Sequence, residues 1–190
     1  MLRINKSITE ERLINDCLKG KSVAQKQLYD RVSARMLAVC IRYIRDRQEA
    51  EHVMIGGMIK VFDKIAQYSG DGSFEGWVRR IMVNESLMYL RKNSAMTLNQ
   101  DLEGAENMGA ATVENVDLET EELLNMVNEM PVGYRTVFNM YAIEGYSHAE
   151  IADQLSITEN TSKSQLSRAR KYLQARLSEA TQQEQKEIRR

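Results

Sequence analysis

Apolar residues recur every three or four positions along most of this chain, and turn formers separate the recurrences. Leu13, Ile14, Cys17 and Leu18 make the first stripe, with Thr9 as a helix cap before it and Gly20 as its stop. Ser22 with Gln25 reads as a capping box, each side chain satisfying a backbone N–H left unpaired at a helix start. It opens a long helix with Leu28, Val32, Met36, Val39, Cys40 and Tyr43 inward. Asp46 with Glu49 opens a third, carrying Val53, Met54, Met58, Val61, Phe62 and Ile65. The glycine-rich residues 68–73 predict a loop. A fourth helix after Ser73 buries Phe74, Trp77, Ile81, Leu87 and Leu90. Periodicity then stops: residues 93–117 are small, polar and acidic, which predicts a flexible, self-repelling tether. Helices resume over 118–130, Pro131 starts a new segment, and 134–143 is helical up to Gly145. The last ten residues, 181–190, are a charged polar run predicted to fray.

The most informative stretch is YSHAEIADQLSITENTSKSQLSRAR, residues 146–170. Ser147 and Glu150 form a capping box, and Ile151, Ala152 and Leu155 supply one apolar face. Residues 156–158 break the period, and Thr158 caps a second helix whose buried side is Leu166, Ala169 and Leu173. Its other side offers Thr161, Ser162, Lys163, Gln165, Arg168 and Lys171, hydroxyls and an amide suited to base edges interleaved with cations suited to phosphates. The pattern predicts a helix-turn-helix facing DNA. By itself it is only moderately specific, because helical hairpins with polar outer faces occur in proteins that bind no nucleic acid.

Charge sharpens that reading. The formal net charge is -1, yet residues 98–129 hold Asp101, Glu103, Glu106, Glu114, Asp117, Glu119, Glu121, Glu122 and Glu129 with no Lys or Arg, so the remainder is net basic. A second cationic helix carries Arg79, Arg80, Arg91 and Lys92. Beside it, Phe74 and Trp77 at the glycine loop could stack on unpaired bases, although Trp77 at helical spacing from Ile81 reads better as a core anchor. The exposed loop is the better candidate for base contact. A single proline and little β-branched alternation favour an all-α protein. The predicted architecture is two small helical domains, 9–93 and 118–178, joined by a flexible acidic linker, 94–117, with a polar tail, 179–190.

Several classes drop out. Cys17, Cys40, His52 and His148 have no zinc spacing, so the cysteines read as buried free thiols and no metal is expected. No nucleophile arrangement or phosphate loop is visible, so neither an enzyme nor a cofactor is expected. No apolar run approaches a membrane span and no signal segment is present, so the expectation is a soluble, cytoplasmic protein.

On these residues the chain resembles a known family. EAEHVMIGGMIKVF (49–62) and GSFEGWVRRIMVNESLMYLRKN (72–93) resemble region two of bacterial sigma factors, and residues 146–173 resemble region four. The presence of only these two regions resembles the extracytoplasmic-function group. The resemblance implies a transcription initiation subunit whose partners are RNA polymerase core, through its clamp helices and flap, and promoter DNA. Upstream-element recognition would fall to Thr161, Ser162, Lys163, Gln165 and Arg168. Contacts to the melted element would fall to Tyr68, Ser69, Arg80 and Asn84, and polymerase docking to Glu49, Glu51, His52, Ile55 and Lys60. Members of the group are often held inactive by an anti-sigma protein, a further expected partner.

The docking helix departs from the family's D-A-E-D-x-x-Q-E-x-F run. His52 stands for an acid, Ile55 for a glutamine and Gly56 for a second acid, while Met88 replaces a common aspartate. Adjacent helical glycines cost about 1 kcal/mol each relative to alanine. Re-tuned polymerase contacts, a weakened clamp interface and a sigma-like relic that no longer initiates all remain open. The rival from another class is a helix-turn-helix regulator that binds two-fold operators as a dimer.

Overall fold

The computed structural model describes residues 9–93 and 118–188, and the predicted linker, 94–117, lies outside them. The described elements are all helical: α1 (Glu10–Leu18), α2 (Ser22–Tyr43), α3 (Arg47–Lys64), α4 (Phe74–Lys92), α5 (Leu118–Glu129), α6 (Val132–Phe138), α7 (His148–Leu155) and α8 (Glu159–Ile188). They divide into two units, Met1–Cys40 with Gln48–Ser86, and Ile41–Arg47 with Leu87–Arg190.

In the first unit α1 packs on the 3₁₀ turn Ile65–Gln67 that follows α3. The core runs through Leu13, Cys17, Leu28, Val32, Met36, Met54, Met58, Val61, Ile65, Phe74, Val78, Met82 and Val83. Cys17 and Cys40 are both buried and unbridged, as their apolar setting predicts. Burial raises the Cys17 thiol above its ordinary pKa, which disfavours the reactive thiolate. Two predicted caps differ. Thr9 precedes α1 without a side-chain cap bond. Gln25 N–H bonds the Lys21 carbonyl at 3.0 Å, so Lys21 holds the capping position and Ser22 lies one residue too far in. Val53, Phe62, Trp77 and Ile81 are only half-buried, while Val78, Met82 and Val83 take the centre of the α4 face.

In the second unit α6 and α7 both pack on α8. Val127, Met130 and Ala169 form a buried cluster covered by Tyr134, Phe138, Tyr172 and Leu173. The helix predicted over 134–143 is two pieces: α6, then one wide π turn, Asn139–Ile143, closed by Gly145 at φ 79°. Arg135 is buried here, donating to the carbonyls of Asn128 (3.0 Å), Met130 (3.2 Å) and Tyr43 (3.0 Å). Those carbonyls end α5 and α2, where the helix dipole is negative, so a cation is favoured in spite of burial. Burial, reinforced by Arg45, lowers its pKa to about 9, which leaves it charged at neutral pH. Asn139 Nδ2 bonds the Arg42 carbonyl at 2.7 Å, and Arg42 pairs with Glu144 at 2.6 Å. The run predicted to fray continues as α8 to Ile188. Its Gln, Glu and Lys are strong helix formers, and just before it Arg176 pairs with Glu179 one turn on.

Candidate nucleic-acid and partner interfaces

The helix-turn-helix is built by local chemistry. The Ser147 hydroxyl accepts from Glu150 N–H at 3.2 Å, and Glu150 Oε2 accepts from Ser147 N–H at 2.8 Å, completing the capping box of α7. Ser156 ends α7 in the left-handed conformation at φ 55°. Thr158 Oγ1 then accepts from Thr161 N–H at 3.0 Å and starts α8. These bonds fix the angle at which α8 leaves the turn.

The outer face of α8 carries Lys163, Ser164, Ser167, Arg168, Arg170 and Lys171, all exposed, with Thr161 half-buried at its start. Lys163 makes an exposed 3.4 Å pair with Glu159, a weak contact in water that leaves the ammonium accessible to a phosphate. Two residues assigned to this face lie elsewhere. Ser162 is 0% exposed and Gln165 5%, so neither reaches a base edge from the outer surface. Helical period is the reason: positions 162, 165, 166, 169 and 173 share one stripe, and the buried Leu166 and Ala169 turn the others inward. Extending that stripe back by four residues from Leu166 would have found Ser162 by sequence alone.

The buried Ser162 hydroxyl meets His148 Nδ1 at 2.9 Å. The His148 ring stacks on Tyr141 with centroids 4.5 Å apart, and the Arg170 guanidinium sits 6.0 Å over the same tyrosine. Burial, followed by the nearby Lys163 charge, lowers the His148 pKa below its ordinary 6.5.

In the first unit the loop at 68–73 is shaped from within. Gly70 and Gly72 have φ of 87° and 83°, a region other residues rarely adopt. The Tyr68 hydroxyl donates to the Gly72 carbonyl at 2.7 Å, closing the loop, and Gly76 N–H donates to Ser73 Oγ at 3.0 Å, capping α4. Tyr68, Phe74 and Trp77 form an aromatic cluster with centroids 5.1 to 5.8 Å apart. Tyr68 is half-buried at the edge of that cluster; Ser69, Arg80 and Asn84 are exposed, the last two one turn apart on α4.

On α3, Glu49, Glu51, His52 and Ile55 are exposed. Lys60 instead turns toward α4, bonding Glu85 at 2.6 Å. The two glycines of this helix differ. A Cβ at Gly57 would lie 2.5 Å from the buried Met82 Sδ, so the end of that side chain would have to shift to admit one. At Gly56 a Cβ would meet nothing within 4 Å.

A capped helix, a tight left-handed turn and a second helix with an exposed cationic face define a helix-turn-helix DNA-binding protein. It is joined in one chain to a second helical unit bearing an aromatic-backed loop. Comparison with known proteins agrees. Sigma-70 region 2 matches residues 28–96, and sigma-70 region 4 matches residues 120–173. The ECF RNA polymerase sigma-E factor of Haemophilus influenzae is 25% identical over 182 residues, covering 90% of this chain and 96% of that protein. The RNA polymerase sigma-H factor of Pseudomonas aeruginosa is also 25% identical, over 187 residues, covering 90% and 97%. A solved sigma factor of Bartonella quintana, in complex with an anti-sigma factor, shares the fold at TM-score 0.54 and 22% identity, covering 80% of this chain and 96% of that one. This chain belongs to the sigma-70 family, in its extracytoplasmic-function group, and is a sigma factor: a subunit that directs RNA polymerase to promoters.

Proposed function

We propose that the two units of this sigma factor divide promoter recognition as follows. The outer face of α8 reads the upstream element in the major groove, with Thr161 and Ser164 toward bases and Lys163 and Arg168 toward phosphates. Ser162 and Gln165 support that face from beneath. The loop at 68–73, with Tyr68 and Ser69, captures an unpaired base of the melted element, and Arg80 and Asn84 follow the strand along α4. The exposed side of α3, with Glu49, Glu51, His52 and Ile55, docks on the polymerase, and Lys60 steadies α3 through Glu85. The protein acts in the cytoplasm, is not an enzyme and is held in check by an anti-sigma partner. Among the described residues no helix is long and apolar enough to cross a membrane.

The observation that carries this reading is a loop closed by the bond from Tyr68 to Gly72 and backed by the Phe74 and Trp77 rings. Opening a duplex costs a few kcal/mol per unstacked step, and capture of extruded bases by a preformed site offsets that cost. Permanganate probing of a promoter fragment from the same genome, with core polymerase and this chain, tests it. Unpaired thymines near the start site are expected with the wild-type chain and are strongly reduced with Tyr68→Ala. Equal reactivity with both chains refutes the loop's role.

A further inference from the structure

On the outer face of α8 the helix itself decides which way a hydroxyl can bond. Ser164 is exposed, and its Oγ donates to the Thr161 carbonyl at 2.9 Å, the back-bond of a helical serine. A serine hydroxyl has a single proton and two lone pairs. With the proton spent on Thr161, Ser164 presents lone pairs to whatever meets it from outside. Thr161, Arg168 and Lys171 lie on the same stripe at helical spacing and offer no such fixed acceptor. Arg168 and Lys171 hold donors only. Thr161 Oγ1 shares a 2.9 Å bond with Thr158 Oγ1 in which either atom could donate, so Thr161 can meet a base in either sense.

We propose that Ser164 sets the orientation of one base pair in the upstream element by accepting from an exocyclic amino group, the N6 amino of adenine or the N4 amino of cytosine. The inference rests on the reading of α8 as the helix in the major groove and names the base chemistry that one of its positions takes. In that groove adenine and cytosine each display an amino donor, whereas guanine and thymine display acceptors and no amino group. Every base pair therefore carries its amino group on one strand only. A hydroxyl held as an acceptor distinguishes which strand that is, and does not distinguish A·T from G·C. Facing guanine or thymine, Ser164 sets lone pairs against lone pairs, and turning its proton outward gives up the bond to the Thr161 carbonyl. Position supports the role. Ser164 lies in the second turn of α8, and recognition helices reach base edges through their N-terminal residues.

The test uses holoenzyme assembled from the full chain and core polymerase of the same bacterium, bound to promoter fragments randomised across the upstream element. Fragments recovered with the wild-type chain are expected to show a position where adenine and cytosine are taken alike and favoured over guanine and thymine by about fivefold, the worth of one net hydrogen bond. Ser164→Ala flattens that position and leaves the others unchanged. Unsubstituted purine, placed there for adenine, lacks the amino group. It weakens wild-type binding about fivefold and leaves Ser164→Ala binding unchanged. A relaxed position that prefers guanine or thymine, no relaxed position at all, or equal losses from purine in both chains overturns the acceptor role while leaving the sigma reading of α8 standing. A wild-type holoenzyme without any upstream preference overturns the reading of α8 and the acceptor role with it.

Discussion

Replacing His148 with Phe separates the ring's packing from its hydrogen bond. Phenylalanine keeps an aromatic body against Tyr141, 4.5 Å away in the native stack, but leaves the fully buried Ser162 Oγ without the 2.9 Å bond to Nδ1. An orphaned buried hydroxyl costs about 1–3 kcal/mol. Ser162→Ala alone removes the group that needed satisfying, and the half-exposed imidazole turns to water, so its cost is about 0.5–1 kcal/mol. With both changes no polar atom is stranded, and the double variant should be more stable than the sum of the single losses by about 1 kcal/mol or more. Urea unfolding followed by circular dichroism of the four chains measures this directly. pH supplies a second arm. The folded His148 pKa lies below the unfolded value near 6.5, so the unfolded chain binds the extra proton first as pH falls. The His148 contribution is therefore fully present above the unfolded pKa and lost as pH falls through the folded one. That loss should disappear in His148→Phe. Additive single costs, or an identical acid limb in wild type and variant, refute the coupling.

Other consequences follow from the same geometry. Arg168→Ala should weaken binding to specific and scrambled duplexes alike and reduce the slope of log affinity against log salt by about 0.9, as seen in a salt titration. Gly57→Val should destabilise the chain by about 1–3 kcal/mol in urea unfolding, because its side chain would intrude on the buried Met82, whereas Gly56→Val should cost much less. Arg135→Met, which strands the carbonyls of Asn128, Met130 and Tyr43, should cost about 3 kcal/mol at roughly 1 for each lost bond. Gly72→Ala, at φ 83°, should cost about 1 kcal/mol and loosen the loop that Tyr68 closes, seen as faster amide exchange at residues 69–72.

Local chemistry was the legible part of the sequence. Ser147 with Glu150, Thr158 and Gly20 act within four residues of their partners, and each does what its spacing predicts. The Leu28-to-Tyr43 stripe of α2 is buried as read. Side-chain type and helical period point different ways at two positions of α8, and period wins. Ser162 and Gln165 carry groups that suit base edges, yet the stripe of Leu166 and Ala169 turns them inward. Serine at 22 resembles a cap but lies inside α2, because caps depend on which backbone N–H groups are orphaned rather than on composition. Arg135 was beyond reach: its Tyr43 carbonyl is 92 residues away, and an arginine in an amphipathic run reads as solvated. The π turn at 139–143 was equally hidden, since one extra residue in a helical turn leaves the apolar spacing almost unchanged. The contrast between Gly56 and Gly57 needed the α3–α4 approach, which no single-chain pattern displays.

The central claim is tested most directly by transcribing genomic fragments with purified core polymerase, with and without this chain, and mapping the 5′ ends. The account predicts start sites that appear only with the chain and that share two unlike upstream elements read by a monomer. Unchanged start sites, together with dimeric binding of the chain to palindromic fragments, would contradict it and leave a two-fold repressor in its place.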